Sequence, residues 1–191
     1  HHLNGVFNLL IGTGEAVGER MVNDRRLPLV SFAGSVASGR RVAESVARRL
    51  GRVILELGGN NAVIVTESAD LEMATRAILF GAVGTAGQRC TSTRRIILHE
   101  SIYDAFIRQL AGAYKGLKIG SPLDPATHVG PLIDRGAAAT YFDAVEQVRK
   151  AGGNILHGGT AHENGGSSGC YVVPCLAEAE NHYPIVQEET F

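Results

Sequence analysis

Short apolar runs alternate with amphipathic helical stretches along the first 58 residues of this 191-residue chain. The predicted strands are residues 6–11, 29–33 and 53–57, and the predicted helices between them are residues 15–23 and 35–50. In the second helix Val42, Val46 and Leu50 recur every four residues and form one apolar stripe. Strands that alternate with helices pair in parallel, because each helix returns the chain across the sheet. The sequence therefore predicts an α/β fold on a parallel sheet.

Predicted strands and helices also follow one another beyond Gly58-Gly59. This pair of glycines is the predicted junction between a domain of residues 1–58 and a domain of residues 59–191. Asp70 is expected to cap the first helix of the second domain. The remaining predictions are a buried strand at 62–65, a strand at 96–98, helices at 70–82, 101–117 and 134–151, a loop at 120–131 and a hairpin tip at 163–169. One face of the second of these helices is expected to be core: Tyr103, Phe106, Ile107, Leu110, Tyr114 and Leu117.

Composition excludes several classes of protein. The chain is 45% hydrophobic, which is ample for a buried core, and its net charge is -1. Its basic residues are scattered in short pairs such as Arg25-Arg26 and Arg40-Arg41, so no surface for nucleic acid or for a membrane is expected. No apolar run approaches the roughly 18 residues of a spanning helix, and the first residues lack the basic start of a signal peptide. We therefore expect a soluble globular protein.

The three cysteines have no regular spacing, which favours a reducing compartment, either the cytoplasm or an organelle matrix. Cys170 and Cys175 flank an extended run that would point them to opposite faces, so they are not expected to pair or to share a metal. The seven histidines are scattered, and none lies at a metal-ligand spacing from a cysteine or an acid. No metal site is predicted.

Two polar residues beside glycines are candidates for catalysis. Cys90 lies in Gly87-Gln88-Arg89-Cys90-Thr91, and Glu56 lies 34 residues earlier in Leu55-Glu56-Leu57-Gly58-Gly59. A thiolate that attacks a carbonyl group leads to a thioester, and a carboxylate that activates water clears it. The alternatives are that Cys90 is a small buried residue and that Glu56 forms an ion pair with an arginine.

Two glycine-rich turns are candidates for phosphate binding. Gly34 to Gly39 follows a strand and opens a helix, whose free amides and dipole favour a pyrophosphate. Arg40-Arg41 replaces the Lys and Ser/Thr of a P-loop, so a dinucleotide fits better, and Ser35 is in addition a candidate helix cap. The turn from Gly12 to Gly18 departs by one residue from G-x-G-x-x-G, so a generic turn is an equal alternative there.

Four segments occur in the order known from one family: residues 32–39, 55–59, 87–91 and 189–191. Together they resemble the signature regions of the NAD(P)-dependent aldehyde dehydrogenases, over nearly the whole chain. Asn60-Asn61, with Arg89 and Thr91 beside the cysteine, most resemble the antiquitin branch, which oxidises α-aminoadipic semialdehyde in lysine degradation. The resemblance implies a partial Rossmann-like cofactor domain in residues 1–58, a partial α/β catalytic domain in residues 59–191, and an active site between them.

The same resemblance implies roles for individual residues. Cys90 is the nucleophile and Glu56 the general base for thioester hydrolysis. The implied contacts to the cofactor, NAD with NADP not excluded, are Gly14, Glu15, Gly34, Ser35, Gly39, Leu57, Glu189 and Phe191. Arg89 and Thr91 are candidates to bind a carboxylate at the far end of the substrate, and the alternative for Arg89 is an ion pair with an acid. Without the resemblance, Glu189 would be an exposed acid and Phe191 a core ring.

By the family's mechanism, the Cys90 thiolate adds to an aldehyde, hydride passes to the nicotinamide, and Glu56 activates the water that releases a carboxylic acid. The family holds the oxyanion with the cysteine amide and with an asparagine from a segment upstream of His1. We therefore expect this chain to be an internal segment, inactive or nearly so by itself. Dimers or tetramers are the family's assemblies, so a homo-oligomer is expected. Two alternatives stay open: a CoA-acylating relative, and a non-catalytic relative that keeps the fold.

Overall fold

Two parallel strands and the helix that joins them organise the first of the two units into which the chain divides, His1–Gly58 and Gly59–Phe191. The computed structural model describes residues 5–163 and 168–191. The elements of the first unit are α1 (Glu19–Asn23), β1 (Leu29–Gly34), α2 (Val36–Arg48) and β2 (Arg52–Leu57). Strands β1 and β2 are parallel and stay in register from Leu29, opposite Arg52, to Gly34, opposite Leu57. The predicted α/β class is confirmed, whereas the roles assigned to the two units stay predictions.

Helix α2 begins and ends where its sequence provides caps. Ser35 Oγ accepts a hydrogen bond from Ser38 N at 3.2 Å, so the predicted cap is confirmed. At the other end Gly51 N donates to Val46 O at 3.0 Å, and Leu50 has a left-handed backbone with φ of 59°. Val46 is fully buried as predicted, but Leu50 is 94% exposed. The prediction that Leu50 belongs to the apolar stripe was wrong, because the helix stops at Arg48 and Leu50 lies in the turn beyond it.

The expected strand at residues 6–11 is absent from the described part of the first unit. These residues lie in turns and irregular backbone, and their large apolar side chains are 61% to 86% exposed. A strand needs a neighbouring backbone to satisfy its amides, and residues 6–11 pair with no strand among the described residues. The helical stretch that follows is confirmed as a π-helical turn, Gly14–Gly18, that leads into α1.

Close packing of α2 on β2 at Gly39 has a measurable consequence. A Cβ atom at position 39 would lie 2.5 Å from Leu57 Cδ2 and 2.9 Å from Leu57 Cδ1. Gly39→Val is therefore expected to displace the flexible end of the Leu57 side chain and to lower the free energy of unfolding by about 1 kcal/mol, the low end of the usual cost of overpacking. Ala37→Val, which puts the same side chain at an exposed position of α2, is the control. Urea denaturation of the 191-residue chain measures both; equal stability of the two variants would contradict this packing.

The second unit contains three pairs of strands and four helices in its described residues. Its elements are β3 (Ala62–Val65), α3 (Leu71–Val83), β4 (Arg95–Leu98), α4 (Tyr103–Lys115), α5 (Arg135–Lys150), β5 (Asn154–His157), β6 (Thr160–Ala161), β7 (Val172–Val173), β8 (Leu176–Glu178) and α6 (Pro184–Gln187). Strands β3 and β4 are parallel, whereas β5 with β8 and β6 with β7 are antiparallel. The strands at 62–65 and 96–98, the three long helices and the loop at 120–131 are confirmed.

Two apolar clusters form the core of the second unit. The larger one joins α3, α4 and β3 through Val65, Ile78, Phe106, Leu110 and Tyr114, which confirms the predicted apolar face of α4. The smaller one lies around α5 and β7. Asp70 caps α3 as predicted, because its carboxylate accepts hydrogen bonds from the amides of the first turn.

Some of the predicted burial in the second unit was wrong. Ile64 is 70% exposed, so only one face of β3 is covered rather than both. Residues 164–167 of the predicted hairpin tip lie outside the described residues.

All three cysteines are free thiols. None of the helices in the described ranges has the length and hydropathy that a bilayer-crossing segment requires.

Candidate active site

Cys90 lies in an exposed loop just after α3, as predicted. Helix α3 gives way at Gly84 to a tight turn in which Thr85, Ala86 and Gly87 have φ angles of 56°, 53° and 75°. Two of these left-handed residues are not glycine, and such conformations cost about 1–2 kcal/mol each unless neighbouring contacts hold them. Cys90 is exposed, so the alternative of a buried core thiol does not hold in this structure.

A buried serine closes the turn that carries Cys90. Ser92 is 2% exposed, and its hydroxyl accepts a hydrogen bond from Arg89 N at 3.1 Å. The amide of Ser92 donates in return to Arg89 O at 3.1 Å. The two bonds fix the backbone on both sides of Cys90 and Thr91.

Asn61 fastens the same turn to the start of β3. Its side-chain amide donates to Cys90 O at 2.7 Å and to Ser92 O at 3.0 Å. The backbone carbonyl oxygen of Asn61 accepts hydrogen bonds from the backbone amides of Arg94 and Arg95 at 3.1 and 3.0 Å. Sequence reasoning used Asn61 only as part of the family resemblance and missed this role, since the partners are about 30 positions apart.

Arg94 connects the turn to the end of the chain. Its guanidinium donates to Ser92 O at 2.8 Å, to Arg89 O at 3.0 Å and to Glu189 Oε1 at 2.9 Å, and it also bonds the backbone oxygen of Phe191. Glu189 and the Cys90 turn are thus brought together within the second unit. Phe191 is partly buried against the smaller apolar cluster, and its contact with a cofactor stays a prediction.

The segment that leads to Glu189 is held by Asn60 and Arg95. The side-chain amide of Asn60 donates to Val186 O at 2.7 Å. The guanidinium of Arg95 donates to Asn60 O at 2.9 Å and to Asn181 Oδ1 at 3.1 Å. These long-range contacts, which the sequence did not predict, place the last helix and the residues after it beside β3.

Arg89 is held by neutral groups rather than by an acid. Its Nε donates to Thr85 Oγ1 at 2.9 Å, and its guanidinium carbon lies 5.3 Å from the centre of the Phe80 ring. Within residues 5–163 and 168–191 it forms no ion pair, so that alternative is not supported. The charged side chain of Arg89 is exposed one position before Cys90, and Thr91 is exposed one position after it. Their roles in binding a substrate carboxylate stay predictions.

Glu56 belongs to the first unit, where it lies on β2 opposite Ala33. Its side chain is exposed, and no arginine in the part of the chain that the structure describes pairs with it. The carboxylate is therefore available for chemistry, and the ion-pair alternative is not supported. Its role as general base stays a prediction.

The predicted cofactor residues of the first unit fall into two groups. Gly34 and Leu57 end β1 and β2 side by side, and Ser35 and Gly39 follow in the first turn of α2. The carboxyl ends of parallel strands and a helix N-terminus are the usual place for a dinucleotide phosphate, so this group fits NAD. Gly39 and Leu57 also pack on each other.

Gly14 and Glu15 form the other group and lie exposed in the π-helical turn. A Cβ atom at Gly14 would meet nothing within 4 Å, so the described residues do not themselves require glycine there. Thr13 Oγ1 caps the turn by accepting a bond from Ala16 N at 3.1 Å. The contact of Gly14 and Glu15 with a cofactor stays a prediction, beside the generic turn.

The second unit also contains a cavity of about 550 Å³ that is partly open to solvent and has a mainly apolar lining. The lining includes Ser92 and Arg94 from the inner side of the Cys90 turn, but not Cys90 itself. Cys175 lies on the same cavity, and burial raises the pKa of its thiol to about 11, so it stays protonated at neutral pH. No cluster of potential metal ligands occurs among the described residues.

Residues 4–191 match the aldehyde dehydrogenase family. The chain is 45% identical over 186 residues to aldehyde dehydrogenase family 7 member A1 of Pisum sativum, covering 97% of this chain and 36% of the relative. It is 43% identical over 190 residues to alpha-aminoadipic semialdehyde dehydrogenase of Mus musculus, covering 99% and 35%.

A crystal structure of betaine aldehyde dehydrogenase from Staphylococcus aureus, in complex with NAD+, is similar with a TM-score of 0.90 and 30% identity. That match covers 94% of this chain and 36% of the neighbour's chain. The chain belongs to the aldehyde dehydrogenase family. The predicted resemblance to the family and to its α-aminoadipic semialdehyde branch is confirmed. The chain spans little more than a third of the length of these relatives.

Proposed function

We propose that the chain is the portion of an NAD-dependent aldehyde dehydrogenase that carries the nucleophile, and that the enzyme oxidises a semialdehyde such as α-aminoadipic semialdehyde to a carboxylic acid. The observation that carries the proposal is the exposed Cys90 on a turn fixed by Asn61, Ser92 and Arg94. A thiol that is accessible and held in one geometry is what attack on a carbonyl carbon requires. The 43% identity to the mouse semialdehyde dehydrogenase supports the choice of substrate.

The residues divide the reaction into two stages. The Cys90 sulfur bonds to the aldehyde carbon, and the amide of Cys90 donates to the oxygen on which negative charge develops. NAD+, when bound, supplies the acceptor for the hydride that leaves this carbon, so that the substrate remains as a thioester on Cys90. Glu56 takes a proton from water, which attacks the thioester carbon and releases the carboxylic acid and the thiolate.

The proposed contacts to NAD are, in the first unit, residues at the edge of the sheet and, in the second unit, Glu189 and Phe191. The first turn of α2 has amides without intrahelical acceptors, which suit a phosphate. Glu189 uses one carboxylate oxygen for Arg94. Its other oxygen accepts no bond from the described residues and suits a ribose hydroxyl. Gly14 and Glu15 are proposed as further contacts.

The substrate's distal carboxylate is proposed to bind Arg89, with Thr91 as a second donor. Thr85 and Phe80 hold the Arg89 guanidinium while leaving it exposed beside Cys90. A planar guanidinium binds a carboxylate through two parallel hydrogen bonds, and a hydroxyl adds a third. This arrangement favours an aldehyde whose other end is an acid over an uncharged aldehyde of the same length.

For the whole enzyme we also propose an assembly, a compartment and a class of partner. We propose a homo-oligomer, either a dimer or a tetramer, because that is the assembly implied by the family. We propose the cytoplasm or an organelle matrix as its compartment, because all three cysteines are free thiols. The scattered charges support a small-molecule substrate rather than nucleic acid or membrane partners.

The experiment that tests the function uses a chimaeric enzyme, in which this chain replaces the matching region of the mouse relative. We expect NAD-dependent oxidation of semialdehydes, with kcat/KM highest for the carbon chain length of α-aminoadipic semialdehyde and at least about tenfold lower for uncharged aldehydes of equal length. The 191-residue chain alone is expected to be inactive or nearly so, since it spans 35% of that relative.

Two results would contradict the proposal. A rate that depends on added CoA would identify a CoA-acylating enzyme, in which CoA rather than water resolves the thioester. Absence of turnover in a chimaeric enzyme that is folded and binds NAD would support a non-catalytic relative. The unmodified mouse enzyme is the control for the assay.

A further inference from the structure

Arg94 is a side chain of the second unit that forms several hydrogen bonds to other described residues and that the proposed chemistry does not use. Its Nη1 donates to Ser92 O at 2.8 Å, and its Nη2 donates to Arg89 O at 3.0 Å and to Glu189 Oε1 at 2.9 Å. The first two acceptors belong to the backbone on either side of Cys90. The third belongs to a residue 95 positions later in the chain.

The Arg94–Glu189 ion pair lies largely out of water. The side chain of Arg94 is 12% exposed and that of Glu189 is 20% exposed. By contrast, the Arg76–Glu72 pair on α3 leaves both side chains more than 70% exposed. A charge-assisted hydrogen bond is stronger and more directional when water is excluded, so Arg94 fixes its acceptors where a surface arginine would not.

We propose that Arg94 is a positioning residue that sets Glu189 in register with the turn that carries Cys90. This inference rests on the proposed function, in which Glu189 holds a ribose hydroxyl of NAD and Cys90 attacks the aldehyde. One rigid fork holds both elements, so the carboxylate oxygen left for the ribose has a fixed place relative to the nucleophile. Arg94 touches neither substrate nor cofactor in this role.

Lysine at position 94 tests the fork, because it keeps the positive charge but replaces the two nitrogens, of which Nη1 bonds Ser92 O and Nη2 bonds Arg89 O and Glu189 Oε1, with a single one. In the chimaeric enzyme, Arg94→Lys is expected to raise the KM for NAD by about tenfold and to leave the KM for the aldehyde within about twofold. Arg76→Lys is the matched control, since Arg76 also pairs with an acid but lies on an exposed helix face. It is expected to change neither constant.

A double-mutant cycle separates positioning from a general effect on folding. If Arg94 acts through Glu189, Arg94→Lys adds less than about twofold to the KM for NAD in a Glu189→Gln background. Additive effects of the two changes would overturn the proposal. So would a lower Tm and a lower kcat with an unchanged KM for NAD, because a purely structural arginine produces that pattern.

Two further outcomes are informative. If Arg94→Lys does not fold, Arg94→Gln replaces it, and failure of both to give the circular dichroism of the unmodified chimaeric enzyme would make Arg94 a structural residue and overturn the proposal. Failure of the proposed function is distinguishable, because the unmodified chimaeric enzyme would then show no oxidation. In that case the double-mutant cycle of Arg94 and Glu189 is measured through the Kd for NAD. Additive effects of the two changes on this Kd would again overturn the inference.

Discussion

Cys90→Ser in the chimaeric enzyme is expected to lower the rate of aldehyde oxidation by at least about 10³-fold, the usual consequence of losing a nucleophile. A serine hydroxyl has the same shape, but without a base to remove its proton it is a far weaker nucleophile than a thiolate at neutral pH. The measurement is the initial rate of NADH formation at saturating NAD and aldehyde. Cys170→Ser, which changes the same atom in another loop, is the control and should leave the rate within about twofold.

Thiol labelling of the 191-residue chain gives an independent check on Cys90. Iodoacetamide at neutral pH is expected to modify exposed Cys90 well before Cys175, which is partly buried and whose thiol has a pKa raised to about 11. Because Cys175 ionises only as the pH approaches that value, its labelling should rise steeply at alkaline pH. Residual dehydrogenase activity in Cys90→Ser above one-tenth of normal, or faster labelling of Cys175 at neutral pH, would refute the assignment of the nucleophile.

Glu56→Gln is expected to separate the two stages of the reaction. Glutamine keeps the size of the side chain but cannot take a proton from water, so hydrolysis of the thioester should slow by about 10²- to 10⁴-fold. Formation of the thioester does not need this base, and a burst of NADH close to one equivalent per Cys90 should precede a slow steady state. Stopped-flow absorbance measures the burst, and mass spectrometry identifies the acyl group on Cys90.

Glu44→Gln is the matched control for Glu56, because Glu44 is an exposed glutamate of α2 in the same unit. It should show no burst and an unchanged steady state. A Glu56→Gln enzyme that hydrolyses the thioester as fast as the unmodified chimaeric enzyme would remove Glu56 from the mechanism. An increase in the steady-state rate of NADH formation on addition of CoA would show that the thioester still reacts with a nucleophile and that only the activation of water is lost.

Elements with strong local patterns were predictable from the sequence. Ser35 and Asp70 are caps because their oxygens reach amides two or three residues away, and such contacts depend on neighbours in the chain. The apolar face of α4 follows from helical spacing alone, and Phe106 and Leu110 are fully buried. The position of Cys90 in a loop follows from the glycines that end α3.

Predictions failed where the outcome depended on distant partners or on where a helix stops. The run at residues 6–11 has the composition of a strand, yet in the structure it lacks the neighbouring backbone that would make it one. Leu50 has the right spacing for the stripe on α2, but the chain had already left the helix in a left-handed turn. The network of Asn61 and Arg94 joins positions about 30 and 95 residues apart, and no local pattern reveals it.

The register of β1 and β2 limits where this protein tolerates insertions. Successive residues of a strand point to opposite faces, so one extra residue in β2 before Glu56 would exchange the two faces of all that follows. The carboxylate would then point toward α2, and Leu57 would leave its place against Gly39. Changes in chain length should therefore accumulate in surface loops such as residues 120–131, while the length of β2 should remain constant among functional variants.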